Sequence, residues 1–426
     1  MRNGTIYRRK HHAASRTTDF VFNQLIPYIG NKRKLLDLIQ TALTRTGEAR
    51  GRTFVDLFAG SGVVARLAKT LGYRVIANDW EPYTLPINTT YITCNRSPLF
   101  RRCGGYEKAI AYLNTLSPRV DWVTEHLCPR SDKDYDVEKD RMFYMRKNGK
   151  RIDAIRHQIG EWHSDDVINI VEEACLLAPL VYQACYTSNT SGVFKGFHNG
   201  WGGQTQTALY RIAGDLKLSL AVFFDNEQEN EVLCEDAQKV AEKLPPKDLD
   251  IVYLDPPYNQ HPYGSNYHVL NSVALWDKPK LSKQITGHGD KSAIRADWRT
   301  ERHSAYNYRG EATAAYRKLL STLNAQYILT SYSTDGMISL QDMLHANAEH
   351  GHVHVEMRGY KRYRVSSQRF SKKPMNVELI IVLDTHKRKQ NHVDELLARI
   401  MSTEKHVLKN HRETSDERQL MLFDAQ

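Results

Sequence analysis

The sequence predicts an α/β protein, an open sheet with helices on both faces that carries a mostly helical and loop insert. Three observations carry this expectation. Thr53–Asp56 and Tyr73–Asn78 are short strand-type runs on either side of a helical repeat from Val63 to Leu71, which makes a βαβ unit. Ile251-Val252-Tyr253-Leu254 is a buried-strand pattern stopped by Asp255-Pro256-Pro257-Tyr258. Tyr327–Thr330, His352–Met357 and Val377–Leu383 supply later strands, the last two as a hairpin. At 426 residues the chain exceeds one average domain, and one core with a large insertion fits its length.

Residues 1–19 read as a basic flexible arm with Arg8, Arg9 and Lys10. Tyr28-Ile29-Gly30-Asn31-Lys32 is a turn leading into a helix, with Leu35, Leu36, Leu38 and Ile39 at helical spacing. After the first strand, Phe58-Ala59-Gly60-Ser61-Gly62 is a Gly-rich turn before the Val63 helix. Such a turn lets a ligand approach backbone amides closely. Asp79 ends the second strand, where an acid can accept both hydroxyls of a ribose. Two glycines fall short of the full dinucleotide fingerprint, so the series points to a nucleoside-bearing cofactor rather than a dehydrogenase.

Residues 84–230 interrupt the alternation. Asp166–Tyr186 reads as one amphipathic helix, and Leu209–Phe224 as another helical stretch. Between them, Thr187–Thr207 is a polar loop with Phe194, Phe197, His198 and Trp201 beside Lys195, a pattern suited to exposed rings that stack on bases. Val232–Ala237 reads as a strand end with an acidic turn, followed by a short helix. Pro262–His268, with Tyr263 and Tyr267, reads as an aromatic loop covering the site. Lys361–Lys373 is a basic hairpin segment suited to phosphate contact. A helix over about Val393–Leu408 precedes a polar tail that ends in Gln419-Leu420-Met421-Leu422-Phe423.

The formal net charge of +10 favours a polyanionic partner, most simply nucleic acid. Six cysteines show no CxxC pair and no zinc spacing, so no metal site is expected. No signal peptide or bilayer-spanning run is recognised, which sets a cytoplasmic location with reduced thiols as the expectation.

Asp255-Pro256-Pro257-Tyr258 carries the chemistry. The prolines fix the backbone at a strand's carboxyl end, where ligands bind in open α/β sheets. The exocyclic amine of adenine is a poor nucleophile because its lone pair is delocalised into the ring. Asp255 and the Pro256 carbonyl can accept its two protons, while Tyr258 stacks on the base. In a duplex that base must first be flipped out.

With these segments in hand, the chain resembles the Dam-like group of adenine-specific DNA methyltransferases over roughly residues 20–90 and 230–385. The resemblance implies a Rossmann-like methyltransferase sheet, S-adenosylmethionine as cofactor and double-stranded DNA as substrate. It implies that Tyr28, Gly30 and Lys32 line the methionine end of the cofactor. Asp56, Phe58, Gly60 and Gly62 match the Gly-rich loop, Asp79 with Trp80 the ribose site, and Asp236 with Ala237 the adenine end. Asp255, Pro256, Pro257 and Tyr258 match the catalytic loop. Asn189-Thr190-Ser191-Gly192-Val193-Phe194 is similar to the start of that group's DNA-contacting hairpin. DNA contact is thus expected at Asn189, Phe194, Lys195, Tyr263, Tyr267, Lys361, Arg362 and Arg364.

The domain reading is an arm over 1–19, a catalytic domain over 20–83 and 231–385, a target-recognition insert over 84–230, and a helix with tail over 386–426. Gln419–Phe423 resembles the peptide by which bacterial proteins dock on the DNA sliding clamp. The expected function is site-specific methylation of adenine N6 in DNA, in restriction–modification or as an orphan enzyme, with a restriction endonuclease as a partner in the first case. The residues leave open cytosine N4, RNA adenine, and a clamp-tethered DNA-binding protein with a vestigial loop.

Overall fold

The computed structural model describes residues 17–245, 249–287, 289–361, 375–387 and 392–423, with the backbone alone for residues 361 and 411–423. The fold is α/β, and its described residues hold a mixed sheet of seven strands with helices on both sides. The strands are β1 (Thr53–Asp56), β2 (Arg74–Asn78), β3 (Glu231–Leu233), β4 (Leu249–Leu254), β5 (Ala325–Ser333), β6 (His352–Lys361) and β7 (Met375–Asp384). The chain groups into two compact units.

The first unit comprises the chain up to Arg33, Ala49–Asp236 and His261–His303. Its strands run parallel in the order β3-β2-β1, with Phe54 opposite Val75 and Ala77 opposite Val232. The core already begins inside the expected arm. Residues 17–22 are helical and Phe20 is fully buried, its ring 5.3 Å from Phe224 and 6.1 Å from Tyr91. Residues 1–16 lie outside the described residues.

The insert is built on two long helices, Arg146–Ser164 and Ile170–Tyr186. The second starts later than the sequence suggests. Asp166 takes a positive φ of 54°, and Asn169 caps the helix in a box with Glu172. Most of this helix is buried, where the sequence predicts a single apolar face. The helix expected over 209–224 shrinks to Leu209–Ile212. Beyond it, side-chain amides take over the backbone's hydrogen bonds. Asn148 donates to the Ile212 and Gly214 carbonyls and accepts from Leu216 N–H; Asn114 bonds both backbone groups of Leu218.

The second unit comprises Lys34–Glu48, Ala237–Gln260 and the chain from Ser304. Here β4 and β5 are parallel, and β7 lies antiparallel between β5 and β6. β7 is buried on both faces because it is central, which explains its nearly unbroken apolar run. The hairpin strands are longer than expected. Lys361 closes β6 opposite Met375, and Arg362 and Arg364 lie outside the described residues. The last helix runs Val393–Phe423, so the segment expected as a polar tail is helical through 423. No helix among the described residues is long and apolar enough to cross a membrane.

Candidate active site

In the first unit β1 ends at Asp56, which is buried and accepts from the Phe58 N–H at 3.3 Å. The turn that follows is glycine by necessity. Gly60 and Gly62 have φ of 51° and 78°, and a Cβ on Gly60 would lie 2.9 Å from a Tyr28 ring carbon. A Cβ on Gly62 would meet Asn88 Oδ1 at 2.2 Å. Asn88 also donates to the Gly60 carbonyl, and Asn31 donates to the Ser61 hydroxyl. Asp79, at the end of β2, accepts from Gly60 N–H at 2.8 Å and from Glu81 N–H at 2.9 Å. It therefore braces the Gly-rich turn, and burial pushes its pKa up to about 6. Trp80 beside it is half-buried.

Asn78 is a residue that motif reading missed. It is buried, donates to the Leu57 and Glu235 carbonyls, and accepts from Glu235 N–H. Through Asn78 the turn after β3, with half-buried Asp236, is tied to the end of β1. Glu81, also missed, is buried, and its carboxylate accepts from Asn271 at 2.7 Å. Burial moves its pKa up to about 7. Strand-end position singles out Asp79, whereas Glu81 is distinguished only by its partner far along the chain.

Tyr28 opens a turn in which Asn31 N–H bonds the Tyr28 carbonyl and Gly30 has φ of 77°. Lys32 is buried in the 3-10 turn that follows. Tyr263 and Tyr267, expected in a loop over DNA, stand instead on and just after the short helix Tyr263–Asn266. Both rings stack on Tyr28 with centroids 5.0 and 5.1 Å away. Tyr267 is fully buried, so its ring has no face left for a base.

The loop expected to display aromatic rings folds inward at two of its named positions. Asn189 is buried, and its amide donates to the Met142, His198 and Gly200 carbonyls and accepts from Gly202 N–H. Phe194 is fully buried against Phe143. Both hold the loop's shape; the sequence counted the rings but could not see the Phe143 side of the contact. Lys195 is half-buried, and burial lowers its pKa.

In the second unit, β4 is buried along most of its length and delivers Asp255 to a half-exposed position at its carboxyl end. Pro256 is buried, and Pro257 and Tyr258 are partly exposed. Tyr332, at the end of the parallel neighbour β5, meets Tyr258 edge to face at 6.1 Å and 75°. The Tyr332 hydroxyl accepts from Ile338 N–H, and Gly336 leaves room for its ring. Asn307 donates to the Asn259 carbonyl at 2.7 Å, fixing the chain after Tyr258. Ala237, buried, opens the helix Ala237–Lys243.

A sequence model described as D12 class N6 adenine-specific DNA methyltransferase matches residues 28–327. The chain is 32% identical to the Type II methyltransferase M.NlaIII of Neisseria lactamica over 79% of this chain and 92% of that protein. It is 30% identical to the modification methylase StsI of Streptococcus sanguinis over 84% of this chain. It is 29% identical to the Type II methyltransferase M.FokI of Planomicrobium okeanokoites over 81% of this chain. The chain covers 51% of StsI and 50% of M.FokI, about half the length of each. No solved structure matches the chain at a significant level. The glycine cradle braced by a strand-end acid, the rigid Asp-Pro-Pro-Tyr loop and these matches agree: the chain belongs to the D12 class of N6 adenine-specific DNA methyltransferases.

Proposed function

We propose that the protein methylates N6 of a flipped-out adenine at a specific site in double-stranded DNA, with S-adenosylmethionine as methyl donor. The observation that carries this is Asp255-Pro256-Pro257-Tyr258 at the open end of buried β4, with the Tyr258 ring set edge-on by Tyr332. When bound, S-adenosylmethionine supplies an electrophilic methyl group. Tyr28, Gly30 and Lys32 would hold its amino-acid end, Asp56, Phe58, Gly60 and Gly62 its middle, Asp79 and Trp80 its ribose, and Asp236 and Ala237 its adenine. The glycine cradle and the acid aligned beside it fit such a nucleoside.

The chain's own work is at the target amine. Asp255 accepts one amine hydrogen and the Pro256 carbonyl the other, which turns the nitrogen lone pair out of the ring plane. Tyr258 stacks on the base and eases the positive charge that grows on it. N6 gains a methyl group and loses a proton, with no covalent enzyme intermediate. Tritiated methyl transfer to unmethylated duplex DNA tests this. Asp255→Ala is expected to lose transfer while keeping S-adenosylhomocysteine binding, and an active Asp255→Ala enzyme refutes the assignment.

By likeness to the relatives named Type II methyltransferases, the biological role is modification within restriction–modification, with a cognate endonuclease as partner and the bacterial nucleoid as its place of action. Residues 84–230 serve as the target-recognition insert. Gln419–Phe423 docks on the sliding clamp; unchanged binding to purified clamp after deletion of 419–423 rules this out.

A further inference from the structure

We propose that Asn266-Tyr267-His268 is a strap that sets the methyl-donor turn according to the position of the recognition loop, with Tyr267 and His268 as positioning residues. This rests on the reading that Tyr28–Lys32 holds the donor. On one side the strap region grips a single residue of that turn by both backbone groups. Ile29 N–H donates to the Tyr267 hydroxyl at 2.8 Å, and the Tyr263 hydroxyl donates to the Ile29 carbonyl at 3.0 Å. The same two phenol rings stack on Tyr28, within 16° of parallel.

On the other side the strap grips a single residue of the recognition loop in the same way. Phe194 N–H donates to the Asn266 carbonyl at 2.7 Å, and His268 Nε2 lies 2.8 Å from the Phe194 carbonyl. A carbonyl partner makes Nε2 the protonated nitrogen of that ring. Burial keeps His268 neutral by lowering its pKa to about 4, so the bond persists across the neutral range. The two grips alternate along three consecutive residues, so a displacement of Phe194 is passed to Ile29 through one buried tyrosine. The strap has little slack. A Cβ on Gly264 would lie 2.7 Å from Trp298 Cβ and 3.0 Å from a Glu81 carboxylate oxygen.

The loop end is rigid up to its rim. Asn189 ties the loop's two arms together, while Ser191, Asn199 and Gln204 are exposed. DNA that engages this rim therefore acts on donor affinity through Phe194, and by linkage the donor acts equally on DNA affinity. Coupling of this sort needs a chain of packed, hydrogen-bonded groups, which residues 194, 266–268 and 28–29 supply.

Two measurements test the strap. Tyr267→Phe keeps the stacked ring and removes the acceptor for Ile29 N–H. It should raise KM for S-adenosylmethionine about tenfold with kcat within about twofold; an unchanged KM overturns the proposal. The second is the affinity for S-adenosylhomocysteine with and without long unmethylated duplex DNA. DNA should tighten binding about tenfold in the wild type and less than about twofold in His268→Leu. His268→Gln, whose amide nitrogen can replace Nε2, should restore the tightening. Equal tightening in wild type and His268→Leu, or none in the wild type, overturns the strap. A wild-type protein that binds no S-adenosylhomocysteine at all refutes the donor reading instead.

Discussion

Asp79 and Glu81 are two carboxylates within one short segment, and burial raises both, to about 6 and about 7. In the proposed role, Asp79 meets the donor ribose as the carboxylate. Affinity for S-adenosylhomocysteine should therefore strengthen as pH rises through about 6, well above the ordinary aspartate midpoint of 3.8, and Asp79→Asn should bind weakly without that step. Equilibrium binding between pH 5 and 8 reads it directly. Glu81 acts on stability in the other direction. Its folded pKa lies above the unfolded value of 4.5, so the folded state holds its proton more tightly. Its contribution is complete below about pH 4.5 and is lost as pH rises through about 7, on the order of 3 kcal/mol between the limits. Donor-free melting temperatures should fall over that window in the wild type and distinctly less in Glu81→Gln, which still offers an oxygen to Asn271.

Among the elements, the π-helical turn Thr89–Thr93 depends on one distant side chain. Lys69 is buried, and its ammonium donates to the Tyr91, Ile92 and Cys94 carbonyls at 3.2, 2.7 and 2.9 Å. Lys69→Met leaves these acceptors unpaired and should cost about 3 kcal/mol or more in chemical denaturation. The capping box of helix Ile170–Tyr186 has an unequal pair of members. Asn169→Ala should cost about 1 kcal/mol. Glu172→Ala should cost more, because its carboxylate also accepts from Phe100 N–H at 2.6 Å. This helix shows how far element-level reading goes. Periodicity locates it over Asp166–Tyr186 but misplaces its start, because the helix begins only at the Asn169–Glu172 box. The stretch 209–224 had periodicity too, but Asn114 and Asn148 offered its backbone better partners than its own turns.

At the scale of the whole molecule, the charge of +10 bears on association with a polyanion. Lys361 closes β6 opposite Met375, and the phosphate contacts expected at Arg362 and Arg364 lie outside the described residues. Changing all three to alanine should lower the slope of log affinity for DNA against log salt by about 2–3, as expected if each meets a phosphate. An unchanged slope, measured by titration at several salt concentrations, removes the hairpin from the DNA contact surface.

What the sequence determined by itself is what rests on local chemistry. Glycine at positive φ marks the turn at Gly60 and Gly62, proline at fixed φ the loop at Pro256 and Pro257, and short apolar runs the strands that lead into both. Those features mark the two motifs, and the family they resemble is the one the matches show. Tertiary structure decided which side chains face outward and what they touch. Phe194 and Tyr267 are aromatic residues in polar surroundings, and nothing local distinguishes a ring that stacks on a base from one that packs inside. Their roles depend on partners remote along the chain: the Tyr267 hydroxyl meets Ile29 across 238 positions, and the Phe194 carbonyl meets His268 across 74. Burial is a property of both partners, and the sequence displays only one at a time.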